Sequence, residues 1–156
     1  RKPGGARFGC FYYDYHFRPA IRLHFGNPTA GSVLNKESVR MRQNEIRRMF
    51  KHIQHHHPEA EQVRGSSWLY NIEAYQRLFP PEYVESARPV GYETGFFSLW
   101  GQFLRGDRSV RKGMARKFLD RLSKATSVDG CMKCFPLEVL RPECDISAFY
   151  RFYGIA

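Results

Sequence analysis

Ser109-Val110-Arg111-Lys112-Gly113-Met114-Ala115-Arg116-Lys117-Phe118-Leu119 is the stretch on which the reading of this chain turns. Val110, Met114, Phe118 and Leu122 recur at four-residue spacing while Arg111, Arg116, Lys117 and Arg121 fall elsewhere, the pattern of an amphipathic helix over about Val110 to Lys124. A small residue among basic side chains at a helix start exposes unpaired N–H groups where the helix dipole is positive, and glycine lets a bulky phosphate approach the backbone. An ordinary surface helix with a glycine near its start has the same signature.

Working outward, Phe96 to Leu104 is apolar enough for a buried strand, but Phe96, Phe97, Trp100, Phe103 and Leu104 also recur at helical spacing, so periodicity leaves both readings open. Downstream, Asp129-Gly130 marks a turn, Lys133 to Leu140 reads as a strand, and Asp145 caps a short last helix that Gly154 closes. Near the N-terminus, Phe8 to Phe17 and Ile21 to Phe25 read as two strands of a hairpin or one bent strand around Arg18-Pro19. Asn35 is placed to cap a helix with Val39, Ile46, Met49, Phe50 and Ile53 on one face and Arg40, Arg47 and Lys51 on the other. Gln62 to Tyr70 reads as a strand, Asn71 as the cap of a helix from Ile72 to Phe79, and Pro81 as the opening of a short turn through Ser86. Strands alternating with helices imply an α/β (or α+β) fold, a mixed central sheet flanked by helices, in a single domain over residues 1–156 with residues 1–7 as a flexible lead.

Arg111-Lys112-Gly113-Met114-Ala115 resembles the pyrophosphate-binding loop of the GNAT superfamily of N-acyltransferases, where a strand runs into a loop of form Q/R-x-x-G-x-G/A and then a helix. Leu137-Glu138-Val139, followed by Ala148-Phe149-Tyr150-Arg151-Phe152-Tyr153-Gly154-Ile155, resembles that family's later strand and helix; together the pieces cover roughly the last 60 residues. The resemblance implies a three-layer arrangement and binding of acetyl-CoA or another acyl-CoA, with the backbone at Arg111, Lys112, Gly113, Met114 and Ala115 cradling the pyrophosphate. It also implies transfer of the acyl group to an amine, with Tyr150 protonating the departing thiolate. A general base would have to be a buried or water-linked carboxylate, for which Glu93 and Glu138 are the candidates. Each of these side chains also fits a plainer role, Tyr150 as a packed aromatic and the two glutamates as solvated charges.

Composition bounds the alternatives. Hydrophobic residues make up 42% of the chain, with 13 Phe and 9 Tyr, enough to build a core. Twenty-five Lys and Arg against 15 Asp and Glu give a net charge of +10, which attracts phosphate-bearing small molecules, nucleic acid or acidic lipid. A basic nucleic-acid-binding module, using Arg40, Arg47, Lys51, Arg111, Lys112 and Arg116 on phosphates, is therefore the rival reading, although no recognised nucleic-acid motif is present; a partner-binding subunit of a larger protein assembly is a third. No apolar run reaches the roughly 20 residues a membrane span requires. Four cysteines are too few for a stapled secreted scaffold, so reduced thiols and a cytoplasmic location are expected. Cys131 and Cys134, with Cys144, have the spacing of a partial zinc site but lack a local fourth ligand. His55-His56-His57, with His52 one turn earlier, reads as a solvated helix end. Arg64 to Asn71 offers Ser66, Ser67, Trp68 and Tyr70 as pocket walls, without a histidine in the segment to activate a serine.

Overall fold

The computed structural model describes residues 6–17, 19–29, 31, 33–90 and 96–156. Period-two alternation governs its first third. β1 (Arg7–Phe8), β2 (Phe11–Phe17) and β3 (Ala20–Phe25) form an antiparallel meander in which Phe11 faces Phe25 and Tyr13 faces Leu23. Phe11, Tyr13 and Tyr15 are buried on one side, and Tyr12, Asp14 and His16 project from the other. The register slips between Asp14 and Phe17, just before Pro19, which has no N–H to give a ladder.

α1 (Val39–His56) then crosses over, and β4 (Gln62–Arg64) returns parallel to β3 with Val63 beside Ile21. Ile46, Met49, Phe50 and Ile53 bury the expected stripe, so the helix stands where periodicity puts it. Its start is Val39 rather than Asn35. The Asn35 side chain accepts from Ser38 N at 3.0 Å in the preceding turn, and the Ser38 hydroxyl donates to the carbonyls of Val33 and Asn35.

A 3-10 turn (Trp68–Asn71), α2 (Glu73–Gln76), α3 (Pro81–Glu85), β5 (Arg88–Pro89) and an eight-residue 3-10 helix (Phe96–Phe103) lead to α4 (Lys112–Leu122) and α5 (Val128–Met132). β6 (Leu140–Arg141), β7 (Glu143–Asp145) and α6 (Ile146–Tyr153) follow. β7 pairs antiparallel with β4, completing a five-stranded mixed sheet of order β1-β2-β3-β4-β7, while β5 and β6 make a separate ribbon. The fold is mixed α/β, as the alternation of elements implies.

Two apolar clusters hold it together. The first joins the sheet to α1 and α6, with the rings of Phe50 and Phe149 stacked at 4.3 Å. The second gathers Leu99, Phe103, Phe118, Phe135 and Val139 under α4. Asp145 accepts from Ser147 N at 2.8 Å and Gly154 adopts the left-handed conformation, so α6 is capped at both ends by the residues that predicted it.

One open reading is decided and four expectations are corrected. Of the two readings open for Phe96 to Leu104 the helical one holds, over Phe96–Phe103, with Leu99 and Phe103 reaching the second cluster and Gln102 buried beside them. Lys133 to Leu140 is extended only at its end: Pro136 gives no N–H, and the Leu137 amide donates to the Gln102 side chain at 2.9 Å rather than to a strand. Gln62 to Tyr70 breaks after Arg64, where Ser67 caps the 3-10 turn by accepting from Leu69 N at 3.1 Å. Asn71 does not cap α2, since its amide donates to the carbonyls of Trp68 and Glu138, both at 2.8 Å. Asp129-Gly130 lies inside α5, which Ser127 caps.

Candidate functional site: the cleft ahead of α4

The residues before α4 fold into a tight hairpin. Leu104 bridges Val110 antiparallel, Arg105 N donates to Ser109 O at 2.8 Å, and Arg111 N donates to Phe103 O at 2.7 Å. Asp107 stabilises the tip by accepting from both the amide and the hydroxyl of Ser109, at 2.9 and 2.6 Å, which holds its carboxyl below the ordinary value. Arg108 follows with φ of 68°, a left-handed residue that the Asp107 bonds and the hairpin ladder keep in place. Gly31 N reaches across to Gly106 O at 2.7 Å and ties the loop between β3 and α1 to this tip.

The hairpin and the start of α4 enclose a cleft of about 670 Å³ lined by Gly31, Arg105, Gly106, Asp107, Arg111 and Gly113. Two cations face one carboxylate there. Arg105 is braced by Val110 O at 3.1 Å and Arg111 by Leu104 O at 3.1 Å, contacts that position each guanidinium while leaving donors over. Arg111 is the N-cap and supplies no side-chain acceptor to the first turn. The amides of Met114 and Ala115 both turn back to Arg111 O at 3.0 Å, which leaves those of Lys112 and Gly113 as the open donors of the helix start. A methyl group placed on Gly113 would meet nothing within 4 Å, so the backbone there is open to a ligand.

The structure thus brings Arg111 and Gly113 to the wall of one cleft, with Lys112 between them in the chain but not on the lining; Met114 and Ala115, on the next half-turn, pack toward the second cluster. It does not bring Tyr150 to them. Tyr150 sits on α6 against the first cluster, edge-on to Phe50 at 6.3 Å, with burial raising its pKa. No strand runs into the Arg111 loop, because residues 96–103 form a 3-10 helix. Glu138 is exposed and meets the fold through its carbonyl, while Glu93 lies outside the described residues.

The thiols separate in the same way. Cys134 is buried in the second cluster and Cys144 packs on the first, and among the described residues no group of three or more His, Cys, Asp and Glu side chains is arranged to hold a metal. His55 and His56 are exposed at the end of α1, but His57 is half-buried and bonds the Tyr13 hydroxyl at 3.1 Å. Burial, then the neighbouring histidines, lowers the pKa of His52.

A second constellation escapes a linear reading. Asp14 Oδ2 and His24 Nε2 meet at 2.6 Å across β2 and β3, and His24 lines a chamber of about 200 Å³ with Tyr12, Ser66, Ser67, Tyr70 and Tyr75. Looking for a histidine only within Arg64 to Asn71 misses it. The alternation of the hairpin, which puts Asp14 and His24 on one face, is the signal that finds it. No protein-family model matches this chain, and neither a curated protein nor a solved structure matches it.

Proposed function

We propose that the cleft ahead of α4 binds a phosphate-bearing small molecule, with coenzyme A and its thioesters as the class the GNAT resemblance names. The observation that supports it is the convergence of Arg105, Arg111 and Gly113 on one cavity of about 670 Å³, at a helix start whose Lys112 and Gly113 amides are open. A diphosphate spreads its charge over several oxygens, which suits two planar guanidinium groups and two backbone donors better than a single lysine would. The net charge of +10 adds a long-range attraction for such a ligand. Acyl transfer to an amine is a further step that only the resemblance supports, since Tyr150 belongs to the other cluster.

Thermal unfolding with and without coenzyme A tests the reading. A ligand at a hundred times its Kd stabilises the fold by about 2.7 kcal/mol, a shift of several degrees for a domain of this size. Gly113→Trp, which fills the open approach, and Arg111→Glu, which inverts the cation, are both expected to abolish that shift. No shift with coenzyme A, ATP or inorganic pyrophosphate would remove the proposal. Binding of duplex DNA or RNA with a steep loss of affinity as salt rises would replace it with the nucleic-acid reading.

A further inference from the structure

We infer that Ser66, His24 and Asp14 form a nucleophilic site that hydrolyses small uncharged esters, separate from the α4 cleft. Asp14 and His24 stand on the neighbouring strands β2 and β3, and Ser66 on the segment that leaves β4. Tyr12 faces His24 and Asp14 faces Arg22 across β2 and β3, so Asp14 and His24 share the polar face. Parallel pairing sets Arg22 beside Arg64 at the end of β4; His24 stands two residues further along β3, and Ser66, two residues past the end of β4, lines one chamber with it. All this occurs at the carboxyl ends of the parallel strands β3 and β4, where open α/β sheets form their crevices.

His24 is held on two sides. Its Nε2 bonds Asp14 Oδ2 at 2.6 Å, and the ring stacks on Tyr12 at 4.8 Å with planes 10° apart. With the proton of the neutral imidazole on Nε2, Nδ1 is the basic nitrogen. Asp14 keeps a second oxygen, Oδ1, buried and without a partner among the described residues, so the carboxylate has no competing donor and acts on His24 alone. Of the two serines on the chamber wall, Ser67 is engaged as the cap of Leu69 N, leaving the Ser66 hydroxyl as the available one.

The chemistry follows from these roles. Ser66 Oγ attacks the carbonyl carbon of the ester as its proton passes to His24 Nδ1; the bond to the alkoxy group breaks, and that group leaves as the alcohol carrying the proton from His24. Water then gives a proton to His24 while its oxygen attacks the acyl-serine, and Ser66 leaves with that proton restored. Asp14 takes no proton in these steps and is a positioning residue. Among the described residues the chamber of about 200 Å³ has no Lys or Arg on its lining, and the Tyr12 hydroxyl suits a carbonyl oxygen. The chamber's size limits the acyl group to a short one, and its lining of Tyr, Ser, Leu and Phe around His24 suits an uncharged one.

A fluorophosphonate probe, which bonds a serine activated in this way, tests the site on the full chain, with the adduct located by peptide mass spectrometry and folding checked by circular dichroism. The expected result is an adduct on Ser66 that Ser66→Ala removes. His24→Gln should slow its formation by about a hundredfold or more. Asp14→Asn should slow it as well, and Asp14→Glu, which keeps the carboxylate, should recover part of the rate. An adduct absent from Ser66 in the folded protein, or forming as fast in His24→Gln, overturns the inference.

Discussion

The side chain of Gln102, fully buried, grips the backbone of Leu137 at both ends: Oε1 accepts its amide at 2.9 Å and Nε2 lies 3.5 Å from its carbonyl oxygen. Nε2 also donates to Leu99 O at 2.9 Å. One glutamine thereby does for residues 133–139 what a neighbouring strand would otherwise do, and fixes them against the 3-10 helix.

Replacing Gln102 by Leu removes both partners of that backbone and leaves a buried amide unsatisfied. We expect a loss of about 2–3 kcal/mol in urea unfolding, whereas Gln102→Glu should lose stability mainly where the new carboxylate is ionised. A change below 0.5 kcal/mol for the Leu variant would show that the grip does not hold the two segments together.

Two glycines should respond in opposite directions. A methyl group on Gly65 would overlap the hydroxyls of Tyr70 and Tyr83, which bond each other at 2.9 Å in the core, so Gly65→Ala should cost about 1–3 kcal/mol. Gly113 opens onto empty space in the first turn of α4, and Gly113→Ala should be neutral or stabilise by up to about 1 kcal/mol. Thermal melting of the two variants side by side reads the contrast.

Alkali should unfold this protein through its tyrosines. Burial raises the hydroxyl pKa of Tyr70, Tyr75, Tyr83 and Tyr153 above the ordinary value, well above it for the first three. Because an unfolded tyrosine ionises near pH 10, the stability these groups confer is intact below about pH 9 and lost as pH climbs past 10, at about 1.4 kcal/mol per unit for each. Tyrosinate absorbance followed with circular dichroism should show these rings ionising only as the fold collapses. Full ionisation of all nine tyrosines in a chain that keeps its dichroism would contradict the buried network.

Cys144 should resist alkylation. Burial, with Glu82 and Asp145 close by, pushes its thiol up to about 12, so at pH 8 only about one molecule in ten thousand carries the reactive thiolate. Iodoacetamide at that pH is expected to leave Cys144 unmodified until denaturant is added, as peptide mapping would record.

What could be read in advance follows from how local the causes are. The stripe of α1, the alternation in β2 and β3, and the Asp145 and Gly154 caps of α6 each depend on residues within a few positions, and each stands as the sequence implies. Residues 96–104 and 133–140 could not be read so, because their conformation is decided by Gln102 and Leu137, which are distant in the chain and meet only after the second cluster forms. The same holds for function. The basic residues around Gly113 stand out in one segment, but the pairing of Asp14 with His24 beside Ser66 exists only once three strands have aligned.

The position of β4 has a consequence for synthesis. Its three residues lie between β3 and β7, and its outer ladder is Gln62 against Asp145, Val63 against Cys144 and Arg64 against Glu143. While a ribosome is still making the middle of the chain, the meander of β1 to β3 can close but β4 presents a bare edge, and Phe50 has no Phe149 to cover it. The last native layer can therefore assemble only after residues 143–153 have emerged, so a nascent chain stalled before them should stay protease-sensitive and in need of chaperones.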